Sequence, residues 1–223
     1  MDRKSHILVT GGNGFVGSTI CVLAAQEAIP VISISRTGPP GDQVRDAASS
    51  SIWIKADVFQ PETWNQYLNG CLAVIHCIGI IEEDVAKGIT YDRMIFQSAM
   101  LVADQARVAN VQRFVFLSAG GAAPETPPAY MDAKERANKY LQSVGFAGLS
   151  ILKPGMIYGA AKPETIQEAM DFSKLLADPV LGPKLRPVRP LEVHIVARAA
   201  LRAAIDSSIH GVLDVDKMEK YGG

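Results

Sequence analysis

His6-Ile7-Leu8-Val9-Thr10-Gly11-Gly12-Asn13-Gly14-Phe15-Val16-Gly17 is the stretch whose reading decides the fold. Its first five residues are brief and largely apolar on both faces, the pattern of a strand buried between two layers. From residue 15 to residue 28 apolar positions recur at helical period. A glycine-rich turn between a strand and a helix is the context in which a glycine motif carries weight. Gly11, Gly14 and Gly17 read as G-x-x-G-x-x-G, and Gly12, Gly14 and Gly17 read as G-x-G-x-x-G. In both readings one glycine turns the chain, Gly14 lets backbone N–H groups approach a pyrophosphate, and Gly17 lets the helix lie close on the strand. Asn13, Phe15 and Val16 complete the loop and the helix start, whose partial positive charge favours a phosphate. The alternative is a glycine-rich turn that holds no ligand.

Outward from this stretch the alternation repeats. Further strands are expected at residues 31–35, 51–55, 73–77, 113–118 and 149–153, and helices at 61–68, 90–109 and 130–144. Strand and helix in turn imply an α/β fold, a doubly wound parallel sheet of the Rossmann kind. Right-handed crossovers then bring every strand's carboxyl end to one edge, where ligands bind. Residues 38–51 read as a loop with a short helical turn, and 120–129 as a Pro-rich loop. Beyond Gly159 a helix is expected at 164–176, an irregular stretch at 178–190, a helix at 193–205 and a last strand at 211–215. The reading is one domain: a dinucleotide-binding core over 1–159, with a small C-terminal elaboration over 160–223 on the substrate side.

Strand two ends Ile34-Ser35-Arg36-Thr37, without the acid that usually meets the ribose 2′-OH of NAD. Arg36 can instead meet a 2′-phosphate, with the hydroxyls of Ser35 and Thr37 beside it. NADP(H) is therefore expected over NAD(H), unless Arg36 is only a solvated loop residue. After strand three, Asp57 and Val58 can hold an adenine amino group and ring, or Asp57 can cap the following helix. After strand four, Cys77, Ile78 and Gly79 leave room for a ribose, and His76 reads as a strand residue. After strand six, Pro154, Gly155 and Met156 shape a tight turn past the nicotinamide.

Tyr130-Met131-Asp132-Ala133-Lys134 is Y-x-x-x-K, and residues i and i+4 share one helix face. The pattern is short enough to arise by chance; its place after strand five, twelve residues beyond Ser118, is what gives it meaning. Tyrosine is a poor acid or base near neutrality, and a nearby ammonium is expected to lower its pKa. Lys134 can also hold the nicotinamide ribose. The Ser118 hydroxyl can polarise a carbonyl oxygen that Tyr130 protonates. The plain alternative is a helix-start tyrosine and a surface lysine.

Composition narrows the partners. The chain has 223 residues, 48% hydrophobic and 20% charged, with 22 basic and 23 acidic side chains. A net charge of −1 without long runs of one sign offers no grip for nucleic acid or an anionic membrane. No apolar stretch reaches the roughly 18 residues of a membrane span, so no integral segment is expected. The N-terminal residues run straight into a strand and suggest no leader. Three cysteines and four scattered histidines lack metal-ligand spacing, so no metal is expected and the thiols read as small apolar groups in a reducing compartment.

Together, TGGNGFVG (10–17), Ser118, YMDAK (130–134) and KPGMIYG (153–159) resemble the short-chain dehydrogenase/reductase superfamily, in its extended or atypical branch. RFVFLSA at 113–119 is similar to that branch as well. VISISRTG, ADVFQP, VIHCIGII and YDRMIFQSAMLVADQA resemble atypical members linked to respiratory quinones. Those include a fungal accessory protein of ubiquinone biosynthesis and the nucleotide-binding accessory subunit of respiratory complex I. The resemblance implies NADP(H) binding and two functions. One is hydride transfer with a small, quinone- or isoprenoid-related carbonyl or alcohol. The other is a non-catalytic accessory or redox-sensing subunit of a protein assembly. It also implies a cytoplasmic or organelle-interior protein, with any membrane attachment made through partners.

Two departures stand out. Extended members carry an Asn-containing run after strand four, where this chain reads Met94-Ile95-Phe96-Gln97-Ser98-Ala99, which puts a proton relay through that Asn in doubt. The chain is also short for a sugar-nucleotide epimerase. Residues 160–190 are mostly apolar with scattered basic side chains (Lys162, Lys174, Lys184, Arg186, Arg189), a composition suited to an apolar or anionic small molecule.

Overall fold

Seven parallel strands form the central sheet in the order β3-β2-β1-β4-β5-β6-β9. They are β1 (His6–Thr10), β2 (Val31–Ser35), β3 (Ile52–Lys55), β4 (Cys71–His76), β5 (Arg113–Leu117), β6 (Gly148–Leu152) and β9 (Gly211–Leu213). The computed structural model describes residues 6–121 and 126–223. Residues 1–5, where the leader expectation partly rests, and 122–125, inside the expected Pro-rich loop, lie outside the described residues.

The chain winds outward from β1 to β2 and β3, then returns to the other side of β1 as β4. Strand order reverses between β1 and β4, so their carboxyl ends open a crevice. One face of the sheet is covered by α1 (Phe15–Gln26), α7 (Val193–Ile205) and α8 (Val215–Gly222). The other is covered by α3 (Ser98–Val108) and α4 (Pro128–Val144), around Phe114, Phe116 and Leu141. Central strands are apolar on both faces because both faces meet helices. At the edge, β3 is half-exposed, and Ile52 stays 55% accessible.

The expected helix over 61–68 is two 3-10 turns, Pro61–Thr63 and Asn65–Leu68. Trp64 breaks the run with φ −141°; its ring is fully buried and its indole N–H donates to Val58 O at 3.2 Å. The expected helix over 90–109 opens as a π-helical turn, Asp92–Gln97, before α3. Helix α4 starts two residues before Tyr130, with Pro128 in its first turn, where proline's missing N–H costs nothing.

The C-terminal part is more regular than its sequence suggests. A two-residue strand β7 (Ile157–Tyr158) pairs with β8 (Leu191–Glu192). Between them lie α5 (Pro163–Leu176), α6 (Gly182–Leu185) and a 3-10 turn, Arg186–Val188, inside the stretch expected to be irregular. The last strand stops at Leu213, because Asp214 caps α8 through Lys217 N at 2.9 Å. Residues beyond 159 thus supply both a covering segment, α5–α6, and core elements, α7 and β9. Among the described residues no helix is long and apolar enough to cross a membrane.

Candidate active site

Gly11, with φ +81°, turns the chain out of β1, and a Cβ there would crowd Cys77 and Ile78 at 3.1 Å. Gly12 lies against the Ser33 hydroxyl, and Gly17 against the carbonyl of Gly11, so both glycine readings of the motif have a structural basis. A Cβ on Gly14 would meet only Gly11 O, at 3.1 Å. Gly14 is the N-cap of α1, and no side chain caps it. Ser18 N–H, which donates to Gly14 O at 2.9 Å, is the first intrahelical donor, so the N–H groups of Phe15, Val16 and Gly17 before it stay free. The Phe15 and Val16 side chains do not wall the crevice: Val16 is in the core, and Phe15 packs toward Gly159 with the Lys162 ammonium 5.6 Å from its ring.

A cleft of about 260 Å³ opens at the β1/β4 crevice. Gly11, Asn13, Gly14, Ser35, Arg36, Thr37, Asp57, Val58, Cys77, Ile78 and Gly79 all wall it. Four groups that sequence reasoning missed join them: Ile34, Ala56, Ile80 and Met94. The first three adjoin predicted positions, and only folding brings Met94 in from the π-helical turn. Pro154, Gly155 and Met156 are not in this wall. Gly155 packs under the Arg186–Val188 turn against Val188 O, Leu191 N–H donates to Met156 O at 2.9 Å, and Gly120 N–H donates to Pro154 O at 2.6 Å.

Polar detail revises the phosphate expectation. Ser35 Oγ donates to Gly38 O at 2.7 Å, so its proton is spent inside the turn and not offered to a ligand. Asn13 Nδ2 donates to Thr37 Oγ1 at 2.7 Å and to Gly38 O at 2.6 Å, tying the glycine loop to the end of β2. Arg36 is exposed at the cleft wall and makes no hydrogen bond or ion pair among the described residues. Asp57 accepts from Phe59 N at 3.0 Å, a local turn that starts the 3-10 segment and caps no α-helix.

Tyr130 and Lys134 share the face of α4 turned to the sheet. Lys134 is 5% exposed, and its ammonium donates to Leu117 O at 2.7 Å. It lies 5.2 Å from the Phe116 ring and 5.8 Å from the Tyr130 ring. A Cβ on Gly79 would sit 3.7 Å from Lys134 Nζ, so the lysine reaches the end of β4. Burial pulls its pKa from 10.5 down to about 8, against a smaller opposing effect of Cys77. Burial pushes the Cys77 thiol up to about 12, so it stays protonated.

The expectation that Lys134 lowers the Tyr130 pKa is not met. Burial first, and then neighbouring Tyr91, push it up. Tyr91, which sequence reasoning did not single out, meets the Tyr130 ring edge-on at 5.6 Å. Its hydroxyl donates to Ile81 O at 2.6 Å. Ser118 is 4% exposed, and its hydroxyl has no hydrogen-bond partner among the described residues. Where the Asn-containing run is missing, Ser98 donates to Met94 O at 2.7 Å and meets His76 Nε2 at 3.2 Å. Two of the basic side chains at 160–190 are not free for an anion: Lys174 pairs with Asp171, and Arg189 with Asp216 and Glu219.

A family model described as the NAD dependent epimerase/dehydratase family matches residues 7–169. The chain belongs to this family. An uncharacterised chloroplast protein of Arabidopsis thaliana is 28% identical over 240 residues, spanning 98% of this chain and 77% of that one. MIOREX complex component 2 of Saccharomyces cerevisiae is 26% identical over 200 residues, spanning 68% of this chain and 72% of that one. Among solved structures, a UDP-N-acetylglucosamine 4-epimerase from Methanobrevibacter ruminantium superposes with a TM-score of 0.69 at 16% identity, covering 98% of this chain and 81% of that one. The UDP-glucose 4-epimerase of Thermus thermophilus, solved with NAD, gives 0.66 at 17% identity, covering 96% and 81%. These likenesses establish the fold.

Proposed function

We propose that this family member is an NADP(H)-dependent oxidoreductase, moving hydride between the nicotinamide and a carbonyl or alcohol carbon of a small substrate. The observation that carries this is Lys134, a buried ammonium between the end of β5 and Gly79 of the cleft, with one proton given to Leu117 O. Its other two protons suit the hydroxyls of a nicotinamide ribose. The free N–H groups at the start of α1 and the open side of Gly14 suit a pyrophosphate. Arg36 and the Thr37 hydroxyl suit a 2′-phosphate, and strand β2 ends without an acid for a 2′-OH.

Bound nicotinamide supplies or takes the hydride. Tyr130 gives its hydroxyl proton to the carbonyl oxygen as the carbon receives hydride. Its raised pKa keeps that proton in place at neutral pH, which suits the reducing direction. Lys134 orients the ribose, and the Ser118 hydroxyl, sealed and unpartnered among the described residues, donates to the same carbonyl oxygen only when substrate binding opens the site around it. Ile81 beyond β4 and Met170 and Leu175 on α5 expose apolar surface on loops and helices that follow strand carboxyl ends, which fits a quinone- or isoprenoid-related substrate.

The test is calorimetric titration with NADPH and NADH in parallel. Micromolar or tighter binding with NADPH preferred is expected, and equal affinities sink the cofactor assignment. With a turned-over carbonyl in hand, Tyr130→Phe is expected to lower kcat by about 10²–10⁴-fold.

The sealed Ser118 hydroxyl favours a second reading, an NADPH-binding accessory or redox-sensing subunit. The similarity to a complex component supports a protein partner. An organelle interior, with membrane attachment only through that partner, would suit such a subunit. This reading expects NADPH to raise the melting temperature without being oxidised by any carbonyl in a panel.

A further inference from the structure

We propose that Asn13 sets the preference for a phosphorylated cofactor by fixing where the Thr37 hydroxyl sends its proton. This rests on the NADP(H) reading and adds a specificity-determining residue to it.

Gly38 O can only accept, so the Asn13 amide must face the turn with its nitrogen. Both Nδ2 protons are then committed, one to Gly38 O at 2.6 Å and one to Thr37 Oγ1 at 2.7 Å. Gly38 O also takes the Ser35 hydroxyl proton at 2.7 Å, which fills its two lone pairs. Thr37 therefore receives from Asn13, and Gly38 O has no lone pair left for the Thr37 proton. That proton has no acceptor among the described residues, and Thr37 is exposed beside Arg36 in the cleft wall. The turn thus presents a hydroxyl donor beside a guanidinium. A phosphate monoester offers acceptor oxygens to both. At the end of β2 itself, Ser35-Arg36-Thr37 offers a bare ribose hydroxyl no carboxylate to receive its proton, so the clamp discriminates as well as binds.

The experiment measures dissociation constants of NADPH, NADH, 2′,5′-ADP and 5′-ADP for the wild type, Asn13→Ala, Asn13→Asp, Thr37→Val and the Asn13→Ala/Thr37→Val double variant. Melting curves of each variant check the fold. Asn13→Ala and Thr37→Val are each expected to weaken NADPH and 2′,5′-ADP by about tenfold, the worth of one hydrogen bond to a charged acceptor. NADH and 5′-ADP should move by less than about twofold. Asn13→Asp, which takes the Thr37 proton onto itself and sets a negative charge by the phosphate, should lose more. Because Asn13 acts through Thr37, the double variant should bind NADPH no worse than Thr37→Val alone. Equal losses for NADPH and NADH, or additive losses in the double variant, would overturn the proposal. A wild type that prefers NADPH, with every variant keeping that preference, removes the clamp and leaves the NADP(H) reading standing. A wild type without preference removes the NADP(H) reading itself and the clamp with it.

Discussion

Lys134 shows what one side chain costs and offers. A lysine kept out of water at the base of α4 is held at about 8, and the unfolded chain returns it to 10.5. Between those values the unfolded state binds more protons than the folded one, so this group makes stability rise with pH. Below pH 8 both states are protonated and the burial penalty is fully present. Relative to Lys134→Met, the wild type is therefore expected to gain about 3 kcal/mol between pH 8 and 10.5. Urea unfolding of both proteins across that window checks it, and parallel curves would contradict it. That a residue so penalised lies buried beside the cleft, at Gly79, agrees with a group kept for binding. The pairing of Tyr130 with Lys134 was legible from their spacing together with their place after strand five. The raised tyrosine pKa was not, because it depends on burial in the folded core and on Tyr91, 39 positions away in the chain.

At the scale of elements, a buried hydrogen-bonded chain ties β1, β4 and the π-helical turn together. The Ser98 hydroxyl gives its proton to Met94 O, so it accepts from His76 Nε2, and His76 Nδ1 accepts from Thr10 Oγ1 at 2.8 Å. The ring lies between Phe114 and Phe116, and burial first, then the Lys134 charge, hold its pKa at about 3. The unfolded histidine protonates near 6.5, so stability from this group is lost as pH falls from 6.5 toward 3. The loss should reach about 5 kcal/mol. His76→Asn should start from a lower stability but show a shallower acid slope in pH-dependent urea melts; an unchanged slope would clear His76 of the effect. Strands β1 and β2 were legible to the residue because apolar runs between layers admit one placement. The Pro61–Leu68 turns were not, because Trp64 burial is settled by the core it enters; helix α8 went unread although its Asp214 cap to Lys217 N is a local signal.

Over the whole molecule, the C-terminal segment belongs partly to the core. Helix α7 packs on α1 and α8, and β9 extends the sheet beside β6. Met218 on α8 is fully buried in that layer. Met218→Ala should lower stability by about 2–5 kcal/mol, seen as a drop in the urea midpoint at unchanged slope. A loss under about 0.5 kcal/mol, the usual size for surface changes, would mean α8 is dispensable to the fold. By itself the sequence determined the doubly wound sheet, the glycine turn at Gly11 and most residues of the cleft. These follow from local periodicity and from φ, which neighbours in the chain impose. Only the tertiary structure decided that Ser35 is spent on its own turn, that Asn13 clamps Thr37, that Arg189 is neutralised by α8 and that Ser118 is sealed. Each of these depends on which donor meets which acceptor across distant segments, and that pairing exists only once the chain has folded.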